Sequence, residues 1–214
     1  MPPLPPRLIA ITDRKLAGGT APLLRRCEEL LEIGLPAIML REKDLPARDL
    51  YAMAVELRAA TDRYGALLII NGRADVAMAA LADGVQLGRD ALPPEAAQPI
   101  LPQQMLLGVS CHSVEDIHAA EAAGASYTLL APIFDPASKA RERPPLGLEG
   151  LRHACAEATR PVLALGGIGA QNAPAVREAG AYGAAAIGCF FSPGAQPTEA
   201  ERLLEVFAED PRQP

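Results

Sequence analysis

Short apolar segments alternate with amphipathic stretches from one end of this chain to the other. The apolar segments predict eight strands, at Arg7–Thr12, Ala37–Arg41, Leu67–Asn71, Gly84–Leu87, Leu106–Ser110, Tyr127–Leu130, Val162–Leu165 and Gly183–Ile187. The stretches between them predict helices, at Pro22–Ile33, Ala47–Tyr64, Arg73–Leu81, Val114–Ala123, Leu148–Glu157, Gln171–Ala179 and Thr198–Phe207. Strands that are apolar along their whole length and separated by helices are typical of a parallel sheet covered on both faces.

The number of these units and the chain length favour a closed barrel. The 214 residues suit one compact domain, and no shift in composition marks a second. We therefore expect residues 1–214 to form a single α/β domain, a (β/α)8 TIM barrel, with a proline-rich tail at residues 1–6. The alternative is an open doubly wound sheet, which typically carries a G-x-G-x-x-G turn after its first strand. Residues 11–15, Ile-Thr-Asp-Arg-Lys, do not match that turn.

Composition excludes several classes of function. The formal net charge of -6 argues against a general nucleic-acid surface. The four cysteines are widely separated, with no C-x-x-C and no paired-histidine motif, which argues against a disulfide framework or a zinc site. The N-terminal segment lacks the features of a signal peptide, and no segment is apolar for long enough to span a membrane. We expect a cytoplasmic protein without nucleic-acid or membrane partners.

Glycines at the ends of two consecutive strands predict a phosphate site. Gly166 and Gly167 follow the seventh predicted strand, and Gly188 follows the eighth. Glycine lets backbone N–H groups approach a ligand closely. The loops after the seventh and eighth strands of TIM barrels commonly bind a phosphate. We therefore predict that these three glycines hold the phosphate of a small molecule.

Two cations follow the second predicted strand, within the run Arg41-Glu42-Lys43. Side chains two residues apart in a strand share a face. Met39, Arg41 and Lys43 are therefore predicted to line the mouth of the barrel, while Glu42 faces away. In an acidic protein, two cations on one face suit an anionic substrate; a solvated run of charges is the alternative.

The longest predicted loop, residues 131–147, follows the sixth strand. It carries Ser138 and Lys139, and its composition suits a lid over the site, with Lys139 as a third cation. For Arg141 and Arg143 a solvated surface loop is an equal alternative. Three cations facing a glycine phosphate site predict a phosphorylated or doubly anionic small molecule.

Polar residues at two further strand ends predict contacts and proton transfer. Ser110 and His112 follow the fifth strand on one face. His112 is the histidine placed to serve as a general acid or base, since His118 and His153 fall within predicted helices. A bond within its own loop is the alternative for His112. Asn71, at the end of the third strand, either orients a ligand or caps the next helix.

An ordered set of short motifs covers almost all of residues 9–207. These motifs are Ile11–Asp13, Leu40–Lys43, Ile69–Asn71, Ala82–Val85, Gly108–Ser113, Pro132–Phe134 with Lys139, Pro145–Leu151 and Leu165–Ile168. In this order they resemble the thiamin phosphate synthase/TenI family of barrels. The resemblance implies a role in thiamin biosynthesis and a phosphorylated thiazole as ligand, and it suggests a homodimer.

The synthase branch of that family joins a pyrimidine diphosphate to a thiazole phosphate, with magnesium held by two aspartates. Gly72 and Ala91 stand at the positions of those aspartates, and Asp90 lies one residue early. Met39 replaces an expected glutamine, and Pro136 replaces a threonine of the lid. Because magnesium prefers carboxylate oxygens, we expect this site to hold it poorly.

The strings Asn71-Gly72-Arg73 and Val85-Gln86-Leu87 are similar to the TenI branch instead. Characterised members of that branch aromatise a thiazole carboxylate phosphate by proton transfer, without metal. The histidine that these tautomerases carry at the end of the sixth strand corresponds to Pro132 here. Another base must then serve, and His112 is the histidine candidate, with Cys111 and Asp135 as weaker ones.

The leading hypothesis from the sequence is a TenI-like tautomerase, an isomerase that uses no metal or other cofactor. One alternative is thiamin phosphate synthase, a transferase, which would use magnesium. The other is a relative that binds thiazole phosphate without catalysis. The predicted catalytic residues are His112 and Lys139, and the predicted substrate-binding residues are Arg41, Lys43, Asn71, Ser110, Ser138, Gly166, Gly167 and Gly188.

Overall fold

Eight parallel strands close into a barrel in the computed structural model, which describes residues 4–135 and 144–208. Each strand pairs with the next along the chain, and the first pairs with the last at Leu8↔Ala184 and Ile9↔Ala185. The predicted TIM barrel is confirmed, and every predicted strand boundary lies within one residue of the observed one. The strands are β1 Leu8–Ile11, β2 Ala37–Leu40, β3 Leu67–Asn71, β4 Gly84–Leu87, β5 Leu106–Cys111, β6 Tyr127–Leu130, β7 Val162–Leu165 and β8 Gly183–Ala186.

Helices follow the strands and cover the outside of the barrel. The helix after β4 is a single turn, continued by a 3-10 turn at Gln98–Ile100, and the prolines in this stretch keep it short. No helix in the described part of the chain is long and apolar enough to cross a membrane. The helices are α1 Thr20–Glu32, α2 Ala47–Tyr64, α3 Ala74–Ala79, α4 Pro94–Ala97, α5 Val114–Ala122, α6 Gly147–Glu157, α7 Ala173–Glu178, α8 Gly188–Phe191 and α9 Pro197–Phe207.

The strands divide the apolar side chains into an inner and an outer core, because successive side chains of a strand point to opposite faces. The outer core lies between the strands and the helices. Inward positions further along β2, β3 and β5 carry polar residues, and these reach the mouth at the carboxyl ends of the strands. The inner core consists of Ile9, Ile11, Ala37, Met39, Ile69, Leu106, Tyr127, Leu129, Leu163 and Ala185.

This alternation corrects one expectation and supports another. Met39 was predicted to line the mouth, but it is 1% exposed and belongs to the inner core. Met39 lies two residues before Arg41 on the same face of the strand, and this places its side chain deeper inside the barrel. Arg41 is half-buried at the mouth.

The amino-terminal end of the barrel is closed by residues near the start of the chain. The Tyr182 hydroxyl donates to the carbonyl of Pro5 at 3.1 Å. The Arg7 guanidinium lies 4.4 Å from the centroid of the Tyr182 ring and donates to the Tyr182 carbonyl at 3.1 Å. Pro5 and Pro6 are buried in the same region. These contacts leave the carboxyl end of the strands as the open end of the barrel.

The seam between β1 and β8 generates a stability prediction. A Cβ added at Gly183 would lie 2.2 Å from the Arg7 carbonyl oxygen, so Gly183→Ala must displace the backbone that closes the barrel. We expect the free energy of unfolding to fall by about 1–3 kcal/mol, measured by urea denaturation. Gly88→Ala is the matched control, because its added Cβ meets its nearest atom at 3.8 Å. Equal stability of the two variants would contradict the prediction.

Candidate active site

Arg41 places a half-buried cation at the mouth. Its backbone N–H donates to Thr12 Oγ1 at 2.9 Å, which fixes the end of β2 against the end of β1. Its guanidinium makes no hydrogen bond or ion pair with any residue of 4–135 or 144–208. A half-buried guanidinium without an internal partner suits a carboxylate or phosphate ligand, because its donors match those oxygens in pairs.

Glu42 holds the loops after β1 and β2 together. Its side chain is buried, and its Oε1 accepts the backbone N–H of Arg14 at 3.0 Å. Burial raises the pKa of this carboxyl above its ordinary value, against the opposing effect of hydrogen bonds from Thr12 and Arg14. Glu42 faces away from the mouth, as the alternation predicts. Its contacts fix the backbone on which Arg41 is carried.

Lys43 lies at the rim, and its side chain reaches the loop after β4. Its Nζ is 3.1 Å from Oδ2 of Asp90, and both side chains are exposed. Exposed pairs of this kind contribute about 0–1 kcal/mol. An anionic ligand can therefore replace Asp90 as the partner of Lys43 at small cost.

A polar pair lies inside the upper part of the barrel. Gln86 is 1% exposed on β4, and its Nε2 donates to Ser110 Oγ on β5 at 3.1 Å. Ser110 is half-buried at the mouth, where the sequence places it. Gln86 is absent from the predicted site residues. The signal that could have found it is a single amide at an inward position of a four-residue strand that is otherwise apolar or glycine.

Asn71 completes the inward polar residues of this half of the mouth. It ends β3, and its backbone pairs with that of Gln86. The proposed alternative, that Asn71 caps the next helix, is wrong. Arg73 occupies the N-cap of α3, and no side chain makes a capping hydrogen bond there. The amide of Asn71 therefore remains available to a ligand.

His112 is anchored on both its backbone and its ring. Its backbone N–H donates to Asp116 Oδ2 at 2.8 Å, within its own loop. Its ring Nδ1 lies 2.6 Å from the carbonyl oxygen of Ala131, at the end of β6. A carbonyl can only accept, so neutral His112 carries its hydrogen on Nδ1 and keeps the lone pair on Nε2. That tautomer is the one a general base needs.

The weaker proton-transfer candidates lie in less suitable places. Cys111 is fully buried in the outer core, on the opposite face of β5 from Ser110 and His112. Burial raises the pKa of its thiol to about 12. Asp135 is exposed, at the last described residue before the gap. His118 and His153 are exposed on α5 and α6, as predicted.

The backbone conformation and the packing of the loop after β7 require glycine at two positions. Gly166 and Gly167 adopt φ values of 102° and 64°, which favour glycine. A Cβ on Gly166 would lie 2.9 Å from Cα of Pro132, and one on Gly167 would lie 2.8 Å from Cβ of Phe134. The loop after β6 therefore packs directly on the loop after β7.

Gly188 opens α8, a short helix that the sequence did not predict. TIM barrels often place a short extra helix after the eighth strand, next to the phosphate loops. Four residues are too few to show a helical period, which is why the pattern missed it.

Two of the predicted site residues, Ser138 and Lys139, lie outside the described residues. The same holds for Pro136, Arg141 and Arg143. The roles assigned to these residues stay predictions.

Comparison with known proteins gives the family. The sequence model of the family described as thiamine monophosphate synthase matches residues 8–190. This chain belongs to the thiamine monophosphate synthase family. The match runs from the first strand to the short helix α8 and so covers the whole barrel and its mouth.

Full-length relatives bear the same name. A thiamine-phosphate synthase of a Roseiflexus species is 42% identical over 196 residues, which is 92% of this chain and 82% of that protein. That of Moorella thermoacetica is 38% identical over 199 residues, 93% of this chain and 94% of its own. The solved structure of thiamine phosphate pyrophosphorylase from Pyrococcus furiosus is 36% identical, with a TM-score of 0.84 over 94% of this chain and 95% of that one.

Membership of the thiamine monophosphate synthase family raises the question of magnesium. The two positions expected to carry aspartates, Gly72 and Ala91, line an open cavity of about 470 Å³ at the rim. The apolar side chains of Met78, Leu92 and Ile100 form much of its wall. The space that two carboxylates would fill is therefore open.

The carboxylates that remain around this cavity are already paired. Asp75 accepts two hydrogen bonds from the guanidinium of Arg73, at 2.8 and 2.5 Å. Asp90 pairs with Lys43. Within residues 4–135 and 144–208 no three His, Cys, Asp or Glu side chains form a group that could hold a metal ion. The donor set at this rim does not fit the magnesium of the family.

Restoring carboxylates at the rim is expected to restore magnesium binding. Gly72→Asp combined with Ala91→Asp is expected to bind Mg²⁺ at least about tenfold more tightly than the unaltered protein, because carboxylate oxygens are the ligands that Mg²⁺ prefers. Nothing lies within 4 Å of a Cβ added at Gly72, whose φ of 75° aspartate tolerates better than most residues. Isothermal titration with MgCl2 measures the affinities. The control is Gly72→Asn with Ala91→Asn, and equal binding by the unaltered protein would contradict the prediction.

Proposed function

We propose that this protein is a thiamin phosphate synthase, a transferase that joins a pyrimidine diphosphate to a thiazole phosphate. The observation that carries the proposal is full-length similarity to proteins named thiamine-phosphate synthase, at 38% and 42% identity. The polar mouth supports it, because Arg41, Asn71 and Ser110 stand where the family resemblance expects substrate contacts. The tautomerase interpretation, favoured by the sequence alone, becomes the second candidate.

The chemistry asks the protein to position two substrates and to stabilise a leaving group. The thiazole nitrogen supplies the electron pair for a new C–N bond, the C–O bond to the diphosphate breaks, and the diphosphate leaves with that bonding pair. Arg41 would stabilise the charge that develops on the diphosphate. Lys43 would leave its ion pair with Asp90 and bind the same diphosphate. Because Gly72 and Ala91 stand at the two aspartate positions of the family, we assign this stabilisation to the two cations.

The glycines across the mouth would hold the second substrate. In the proposal, the phosphate of the thiazole rests on backbone N–H groups of Gly166, Gly167 and Gly188. Asn71 and Ser110 would orient the rings so that the thiazole nitrogen faces the carbon it attacks. Holding both reactants in this geometry supplies much of the rate acceleration of such a transfer.

The assignment is tested by Arg41→Ala. In a coupled assay with pyrimidine diphosphate and thiazole phosphate, we expect the unaltered protein to form thiamin phosphate and the variant to lose about 10²–10³-fold in kcat/KM. Arg63→Ala is the control, since Arg63 is exposed on α2 and pairs with Glu28. Rescue of a synthase-deficient strain by the unaltered protein gives an independent check. No product and no rescue would refute the proposal.

A tautomerase is the second candidate, favoured by the proton-accepting Nε2 of His112 and by the missing carboxylates at Gly72 and Ala91. The test mixes the protein with the thiazole carboxylate phosphate tautomer. Isomerisation lost in His112→Gln by about 10²-fold would support this function. If isomerisation is no faster than in buffer, the tautomerase is excluded. Binding of thiazole phosphate without turnover in either assay would indicate a non-catalytic relative.

Three expectations from the sequence accompany the proposal as predictions. The protein is expected in the cytoplasm and without nucleic-acid partners, and its family suggests a homodimer. The sequence ties magnesium to the synthase and a metal-free reaction to the tautomerase, so the magnesium dependence of turnover is a further prediction that separates the two candidates.

A further inference from the structure

Three polar side chains form a line through the interior of the barrel, from its floor to its mouth. Tyr127 on β6 is fully buried, Gln86 on β4 is 1% exposed, and Ser110 on β5 is half-buried at the mouth. Two of them, Gln86 and Tyr127, lie against Gly108. A Cβ there would lie 2.1 Å from Gln86 Oε1 and 2.5 Å from the Tyr127 hydroxyl oxygen. The missing side chain of Gly108 makes room for both groups.

The donor and acceptor atoms of these three side chains fix the direction of hydrogen bonding between them. Gln86 Nε2 donates to Ser110 Oγ, while Gln86 Oε1 and the Tyr127 hydroxyl have no partner among the described residues. An amide oxygen can only accept, and burial raises the pKa of Tyr127, which keeps its hydroxyl a donor. Both groups lie against the space that a Gly108 side chain would fill, and one is an acceptor while the other is a donor. The observed hydrogen bond of the line runs from Gln86 to Ser110, and the Tyr127 hydroxyl is a donor on the other side of the Gln86 amide.

We propose that Gln86 is a positioning residue that fixes the Ser110 hydroxyl as a hydrogen-bond donor toward the bound substrate. The amide nitrogen of Gln86 occupies one acceptor position of Ser110 Oγ, and it cannot accept in return. The Ser110 hydrogen is consequently directed away from Gln86, toward the mouth. It serves an acceptor on the substrate, either a phosphate oxygen or a ring nitrogen. The inference rests on the proposed function for the identity of that substrate.

Three substitutions test the direction of the bond. Gln86→Glu keeps the shape and, assayed at a pH above the pKa of the new carboxyl, replaces the donor by a carboxylate, which would take the Ser110 hydrogen for itself. Gln86→Met keeps most of the length and makes no bond, and Ser110→Ala removes the hydroxyl. We expect Gln86→Glu and Ser110→Ala each to weaken thiazole phosphate binding or kcat/KM by about tenfold, the usual effect of one lost hydrogen bond to a charged or polar ligand.

A double-mutant cycle separates positioning from a structural role. If Gln86 acts through Ser110, Gln86→Met has no further effect on binding or kcat/KM once Ser110 is alanine. Thermal unfolding of every variant accompanies the cycle, because a merely structural role would change stability in both backgrounds alike. The proposal would be overturned if Gln86→Met and Ser110→Ala lowered binding or kcat/KM independently, so that the double variant showed the product of the two effects. Unchanged binding and kcat/KM in Gln86→Glu would overturn it as well.

The chain offers a matched control for the buried hydroxyl. Tyr127 and Thr128 are neighbours on β6, both fully buried, and neither hydroxyl has a partner among the described residues. They point to opposite faces of the strand. Tyr127→Phe should lower kcat/KM, whereas Thr128→Val should leave it unchanged. Equal effects would contradict the direction of the line.

The outcomes also distinguish this inference from the proposed function. Thiamin phosphate formation by the unaltered protein, together with a cycle of independent effects, would refute the role of Gln86 and leave the synthase standing. A coupled cycle on thiazole phosphate binding without turnover would support Gln86 and refute the synthase. An unaltered protein that neither binds thiazole phosphate nor turns over would overturn both.

Discussion

The closure of β1 against β8 is the constraint on which the rest of the structure depends. Once eight short strands form a closed ring, every second side chain must fit inside it, and the volume there is fixed. Small residues such as Gly108, Gly183 and Ala185 occupy inward positions, and Tyr127 fills the space beside Gly108. The same alternation delivers polar side chains to the mouth, where the inner core ends.

Electrostatics at the mouth differ from those of the molecule as a whole. The chain carries a formal net charge of -6, yet the loop after β2 presents Arg41 and Lys43 together. Glu42 lies between them in sequence, but strand alternation points its side chain to the opposite face, where it contacts Thr12 and Arg14. The carboxylate that would neutralise these cations is thereby used to hold the backbone. An acidic protein can in this way keep a local site for an anionic substrate.

The site departs from its family at a few positions, and the fold explains why these are tolerated. Gly72 and Ala91 lie at the rim, beside an open cavity, so the absence of carboxylates leaves the core unchanged. Pro132 packs against Gly166 in the contact between the loops after β6 and β7. Changes at the rim thus alter chemistry without altering the barrel. Gly166 and Gly167, which the sequence predicts to hold a phosphate, are also required by this packing.

The barrel, its eight strands, and the presence of Arg41, Asn71, Ser110 and His112 at the mouth could all be predicted from the amino-acid sequence. Local pattern suffices there, because strand alternation and the order of strands follow from neighbouring residues. Tertiary structure alone decided that Met39 belongs to the floor, that Lys43 pairs with Asp90, and that Gln86 meets Ser110. It also revealed α8, which is too short to have a period. These features depend on contacts between residues distant in the chain, and such distances are set only when the barrel closes.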